Sequence, residues 1–157
     1  MARPSASRPT DAELAILRVL WGRGPSTVRD VHAELGRTRP PGYDRPAGYT
    51  SVLKVMQIMT AKGLVARDES RRTHVYRPAL SQERTQRQLV ADLLDRAFGG
   101  SARALILQAL SARRSSPEDL AQIRTLIDEA QAKQSQGDPA QGRAGRTEGP
   151  ADTGGDR

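Results

Sequence analysis

The apolar residues of this chain change period once, and that change constrains the fold more than any other feature. Up to residue 62 they recur at helical spacing. Leu14, Leu17 and Trp21 stand at i, i+3 and i+7, with Ile16 and Leu20 beside them; Val28, Val31 and Leu35 repeat the pattern; Val52, Val55, Met56 and Met59 make a third stripe. The pattern then alternates. LVARD at 64–68 and THVYR at 73–77 read as two strands around the turn ESRR. Thr10-Asp11-Ala12-Glu13 is a capping box that opens the first helix, and Gly22 and Gly24 end it. Ser26, after Pro25, is the expected cap of the second helix, and Gly36 its stop. GRTRPPGYDRPAG, residues 36–48, reads as a loop broken by Pro and Gly. The third helix is expected from about Thr50 to Lys62, with Gly63 as its C′ residue. Three helices and a hairpin in this order predict a winged helix-turn-helix over residues 10–80.

The rest is helical in pattern. Leu89, Val90, Leu93, Leu94, Ala97 and Phe98 stripe a helix over about 82–98, which Gly99-Gly100 breaks. Ser101 caps a short helix with Leu105, Ile106, Leu107 and Leu110. Ser116-Pro117-Glu118-Asp119 starts another, with Leu120, Ile123, Ile127 and Ala130 along one face. Three short helices bury little by themselves. Residues 81–133 are therefore expected to be a dimerisation domain closed by a second copy, through Leu89, Val90, Leu93, Leu94, Phe98, Leu105, Ile106, Leu110, Leu120, Ile123 and Ile127. The fold class is mainly α with a small β-hairpin wing: a winged helix-turn-helix domain plus a C-terminal helical dimerisation domain. Residues 134–157 hold six glycines, two prolines and no Leu, Ile, Val, Met or aromatic residue, so they are expected to be a disordered tail. Residues 1–9 read the same way.

Charge separates the two halves. The net of +7 comes from 25 Lys and Arg against 18 Asp and Glu. Residues 1–80 hold 14 basic and 7 acidic side chains, residues 81–133 hold 8 and 7, and the last 24 residues hold 3 and 4. The excess therefore coincides with the winged-helix pattern, as in a polyanion-binding half joined to a neutral one. All basic residues except Lys54, Lys62 and Lys133 are arginine, whose fork suits phosphate and guanine edges, although a GC-rich genome also raises arginine.

Other classes find no support. With no cysteine there is no disulfide framework, thiol nucleophile or thiolate zinc site, and His32 and His74, on different elements, do not make a metal centre. No cofactor, metal or enzymatic activity is expected: P-loop, G-x-S-x-G and H-E-x-x-H are all missing. Glu13, Asp30 and Glu34 read as solvated helix-surface acids. No stretch approaches the roughly 20 apolar residues of a membrane span, and the N-terminus lacks an apolar signal region, so a cytoplasmic chain is expected. Trp21, Met56 and Met59 read as core.

Three clusters are candidate DNA contacts. Tyr49, Thr50, Ser51 and Lys54 open the third helix, where small donors and one long cation suit a major groove; the plain alternative is that Thr50 caps the helix. Arg71 and Arg72 occupy the wing tip with His74 beside them, and the alternative is a solvated turn. Ser26, Thr27 and Arg29 open the second helix, where free N–H groups attract phosphate, and the alternative is simple capping.

The segments PTDAELAILRVLWGRGPSTVRDVHAEL, YTSVLKVMQIMTAKGLVARDESRRTHVYRPALS, QLVADLLDRAFGGSARALILQAL and SPEDLAQIRTLIDEA resemble the penicillinase-repressor family (BlaI, MecI and CopY type) of winged-helix regulators. The resemblance implies a homodimeric transcriptional repressor whose recognition helix is Tyr49–Lys62, bound to double-stranded operators that are inverted repeats. Its C-terminal helices would interlock two copies. Copper-responsive members carry C-terminal cysteines, and this chain has none. β-Lactam-responsive members are cleaved at an Asn–Phe bond, where Gln108-Ala109 falls here; with a membrane sensor protease as partner the proteolytic switch would survive that difference. The loop at 36–48 is long for the family. Two rival readings remain: a winged-helix protein-interaction module, which would expose Leu, Phe or Trp on helix three, and a nonspecific architectural DNA binder, which would need an apolar wedge or a larger charge.

Overall fold

Each apolar stripe becomes a helix that turns the stripe inward. The computed structural model describes residues 8–136, and in it α1 is Asp11–Arg23, α2 Val28–Thr38 and α3 Tyr49–Ala61. The hairpin follows as β1, Val65–Asp68, and β2, Val75–Pro78, antiparallel with Val65 opposite Pro78 and Asp68 opposite Val75. Then come α4, Gln82–Ala97, α5, Ala102–Ala112, and α6, Pro117–Gln136. The chain is the expected winged helix-turn-helix followed by three helices.

The core is built from Ile16, Leu17, Leu20, Val31, Leu35, Val52, Met56, Met59, Val65 and Tyr76, each 3% exposed or less. α1, α2, α3 and the hairpin all contribute to it. Trp21 is half-buried against this cluster, and its indole N–H donates to the carbonyl of Leu80 at 3.1 Å.

Caps fix the helix ends, and several differ from expectation. α1 opens on the predicted box: Glu13 N–H donates to Thr10 Oγ1 at 3.2 Å, and Thr10 N–H to Glu13 Oε2 at 2.9 Å. At α2 the cap is Thr27 and not Ser26. Ser26 is buried, exchanges both backbone hydrogen bonds with Tyr76 (3.0 and 2.9 Å), and spends its hydroxyl on the Gly24 carbonyl. Gly36 does not stop α2, because one glycine costs only about 1 kcal/mol in a helix while Leu35 beside it is buried. The helix ends two residues later, with Arg39 left-handed (φ 42°) ahead of Pro40. α3 closes on the expected glycine: Gly63 (φ 74°) donates to Thr60 O and Leu64 to Met59 O, the paired bonds of a Schellman end.

The Pro/Gly-rich connection is partly packed. Tyr43 is 7% exposed and belongs to the core. Gly42 (φ 91°) passes so close to α1 that a Cβ there would lie 2.6 Å from the Ala12 nitrogen. Glu13 is likewise no solvated acid. It is buried, and Lys62 Nζ reaches its Oε1 at 2.7 Å, joining the first turn of α1 to the end of α3.

The C-terminal helices have the expected starts, with Ser101 Oγ accepting from Ala104 N–H and Ser116 Oγ from Asp119 N–H. Their packing differs from that of α1 to α3. α4 buries only Thr85, and α5 and α6 bury no residue. The described residues up to Leu105 form one compact unit and those from Ile106 another. α6 runs three residues past the expected boundary at 133, and the rest of the predicted tail, 137–157, lies outside the described residues, as do residues 1–7. Arg8, expected in a disordered segment, pairs with Asp92 at 3.2 Å.

Candidate nucleic-acid interface

The local structure brings the N-terminus of α2, the N-terminus of α3 and the wing to one groove. It encloses about 600 Å³ and is lined by Thr27, Arg29, Asp30, Tyr49, Leu53, Arg72, His74 and Tyr76, among others. The bridge between Ser26 and Tyr76 is what holds the wing beside α2, since it adds the chain before α2 to the hairpin as a one-residue third strand.

Each candidate cluster has a definite place. Arg29, Tyr49, Thr50, Ser51, Lys54, Arg71, Arg72 and His74 are exposed. Tyr49, Arg72, His74, Thr27 and Arg29 line the groove; Thr50, Ser51 and Lys54 lie on the outer face of α3, and Arg71 is at the turn. Ser26 alone is withdrawn from the surface. Among the described residues Arg29, Lys54, Arg71 and Arg72 make no ion pair, whereas Arg23, Arg37, Lys62 and Arg67 are each paired with a carboxylate. The four unpaired cations are therefore free to meet an anionic partner on this face.

Thr50 is not a cap. Gly48 is the N-cap of α3 and offers no side chain, while its carbonyl accepts from Ser51 and Val52 at 3.1 and 3.2 Å. Thr27, by contrast, is committed: its hydroxyl donates to Asp30 Oδ2 at 2.7 Å, and its N–H to the same oxygen at 3.0 Å. These bonds, with Arg23 and Arg29 nearby, hold the Asp30 carboxyl below the usual carboxylate range. In the same way, the Ser70 hydroxyl and N–H lower Asp68 at the wing turn.

Sequence reasoning missed two supports of this face. His32 Nε2 lies 2.8 Å from the Ala47 carbonyl, just before α3, and its ring meets Tyr49 edge-on at 6.0 Å. Arg67, on β1, stands opposite Tyr76 across the hairpin and pairs with Glu69, and the two together raise its pKa. His32 lies one turn beyond Val28 on α2, a relation the sequence shows, but its partner 15 residues away is not a local signal.

A three-helix core, a tethered wing and an unpaired basic face define a winged-helix regulator. The family model described as Penicillinase repressor matches residues 9–129. The chain belongs to the penicillinase-repressor family, a family of transcriptional regulators and not of enzymes. It is similar to the transcriptional regulator BlaI of two Mycobacterium tuberculosis strains, CDC 1551 / Oshkosh and ATCC 25618 / H37Rv: 31% identical over 123 residues, covering 78% of this chain and 85% of the regulator. Among solved structures it is similar to the Bacillus licheniformis BlaI monomeric form in complex with the blaP half-operator (20% identity, TM-score 0.41, 50% of this chain and 89% of that one). It is also similar to RosR of H. salinarum (17% identity, TM-score 0.45, 82% of this chain and 99% of that one). No helix among the described residues is long and apolar enough to cross a membrane.

Proposed function

We propose that this chain is a cytoplasmic transcriptional repressor that binds double-stranded DNA operators as a homodimer. One observation carries the reading: the groove that gathers residues of α2, α3 and the wing is bordered by the unpaired cations Arg29 and Arg72, with Lys54 on the adjoining face. In this reading residues 10–80 are the DNA-binding part. α3 enters the major groove with Tyr49, Thr50, Ser51 and Lys54, and the wing lays Arg71, Arg72 and His74 along the backbone. Arg29 and the N-terminus of α2 at Thr27 meet phosphate. Ser26 acts indirectly, by holding the wing.

Residues 81–133 are the dimerising part. Val90, Leu93, Ile106, Leu110, Leu120 and Ile127 are each at least 40% exposed on the single chain, and apolar area of that extent calls for a partner surface. Two copies related by a two-fold axis match an inverted-repeat operator. Release then follows from an inducing signal that separates the copies. Proteolysis by a membrane sensor protease, the route of β-lactam-responsive members, is one such signal, and Gln108 and Ala109, at the place of their Asn–Phe bond, are exposed on α5.

Binding isotherms on a selected operator and on random duplex, at several salt concentrations, test the DNA reading. Lys54→Ala should cost about 1–3 kcal/mol on the operator and relax one position per half-site. Arg72→Ala should weaken both duplexes alike and lower the salt slope by about 1 for each phosphate it no longer neutralises. No effect from either substitution would reject the docking.

A further inference from the structure

α3 is divided lengthwise. Val52, Met56 and Met59 are fully buried. Thr50, Ser51, Lys54, Gln57, Ile58 and Ala61 are all exposed, and at about 100° per residue they fall within one arc of roughly 120° on the opposite side. The exposed arc therefore runs the whole length of the helix, well past the first turn. Its polar members are not committed elsewhere in the way their neighbours are: Thr60 spends its hydroxyl on the Met56 carbonyl, and Lys62 its ammonium on Glu13. Thr50, Lys54 and Gln57 stand at i, i+4 and i+7, a spacing that a helix lying along the major groove presents to base edges.

Gln57 brings chemistry that Lys54 lacks. An ammonium only donates, which suits the two acceptors of guanine, O6 and N7. The Gln57 amide both donates and accepts, which suits the N7 acceptor and N6 donor of adenine. Ile58 adds a second sign. It is 42% exposed on the same arc, and its apolar surface matches a thymine methyl.

We propose that Gln57 is a second base-reading residue of α3, specific for adenine, with Ile58 against a thymine methyl beside it. This rests on the operator-binding reading above. Three residues of helix rise about 4.5 Å, and base pairs are about 3.4 Å apart, so the adenine lies one or two base pairs from the pair addressed by Lys54. Each half-site then contains an A·T pair close to a G·C pair.

The test is selection of duplexes from a randomised library by the full chain, followed by isotherms on the enriched duplex and its single-pair variants. Replacing the A·T pair by G·C should weaken the wild type roughly 5- to 150-fold, and Gln57→Ala by less than about twofold. Gln57→Glu, which keeps the size and removes the donor, should move the preference at that pair toward cytosine. Gln57→Ala should keep the wild-type affinity for random duplex, Gln57→Glu should lose part of it to its added negative charge, and thermal melting shows that both are folded. Undiminished A·T discrimination by Gln57→Ala and Gln57→Glu would overturn the proposal while leaving the operator reading intact. A wild-type chain that enriches no sequence would overturn both.

Discussion

The two halves of this chain use the same kind of amphipathic helix to opposite ends. In α1 to α3 the apolar stripes meet one another and the hairpin, and Ile16, Val31, Val52, Met56 and Met59 are sealed from solvent. In α5 and α6 stripes of similar composition bury nothing, and Leu126 keeps 63% of its surface. Periodicity thus states which face of a helix must be covered, and says nothing about whether the cover comes from the same chain. The first half is a finished core with a charged outer face; the second leaves its apolar stripes largely exposed on the single chain.

The sharpest way to break that contrast is to cut into both. Leu20→Ala, in the core, should cost about 2–5 kcal/mol of unfolding free energy, whereas Leu126→Ala should change it by less than about 0.5 kcal/mol in dilute solution. Chemical denaturation of the two variants checks this, and equal effects would mean that the C-terminal helices are internally packed after all. Next in size is Gly42→Ala, which combines an unfavourable positive φ with a collision against the Ala12 backbone and should cost about 2–4 kcal/mol. Thermal melting reads that effect. It would show that the connection before α3 belongs to the finished half, despite its composition.

Leu93→Asp addresses the other side of the contrast. Leu93 is 41% exposed on α4, so a charge there should leave the monomer folded. In a dimer interface the same charge would be buried without a partner, and sedimentation should show the association constant falling by at least about tenfold. Unchanged association would place the interface elsewhere.

The smallest expected effect concerns pH. Asp30 has a folded pKa below its ordinary value of 3.8 because Thr27 bonds its carboxylate. A depressed folded pKa gives stability that is present above the unfolded value and disappears as pH falls through the lower folded value. Acid should therefore loosen the start of α2, and Asp30→Asn should remove that pH dependence. Amide exchange of the α2 N-terminus, followed as pH falls below the ordinary 3.8, reads the difference.

What the sequence made legible was local. The capping box at Thr10, the glycine end of α3 at Gly63 and the order of helices and hairpin all depend on residues within a turn or two of each other. What it concealed was long-range. Glu13 looks like any surface acid until Lys62, 49 residues later, is brought against it. Ser26 and Thr27 are equally good caps on paper, and only the return of Tyr76 decides that Ser26 goes inside. Tyr43 sits amid prolines and glycines that argue for a loose loop, yet the close passage of Gly42 along α1 delivers its ring to the core. Of the interface, the charged residues were visible because charge needs no neighbour to be counted. His32 was not, because its role depends on where Ala47 and Tyr49 arrive.

The lengthwise division of α3 bears on how such a protein can diverge. No residue of the exposed arc takes part in the core, and no residue of the buried arc reaches the surface. Substitutions on the outer arc change stability by only about ±0.5 kcal/mol, while those on the inner arc cost several times more. After gene duplication, two copies could drift to different target sequences along the outer arc while selection for folding held the inner arc fixed. Neither copy would have to pass through an unstable ancestor on the way.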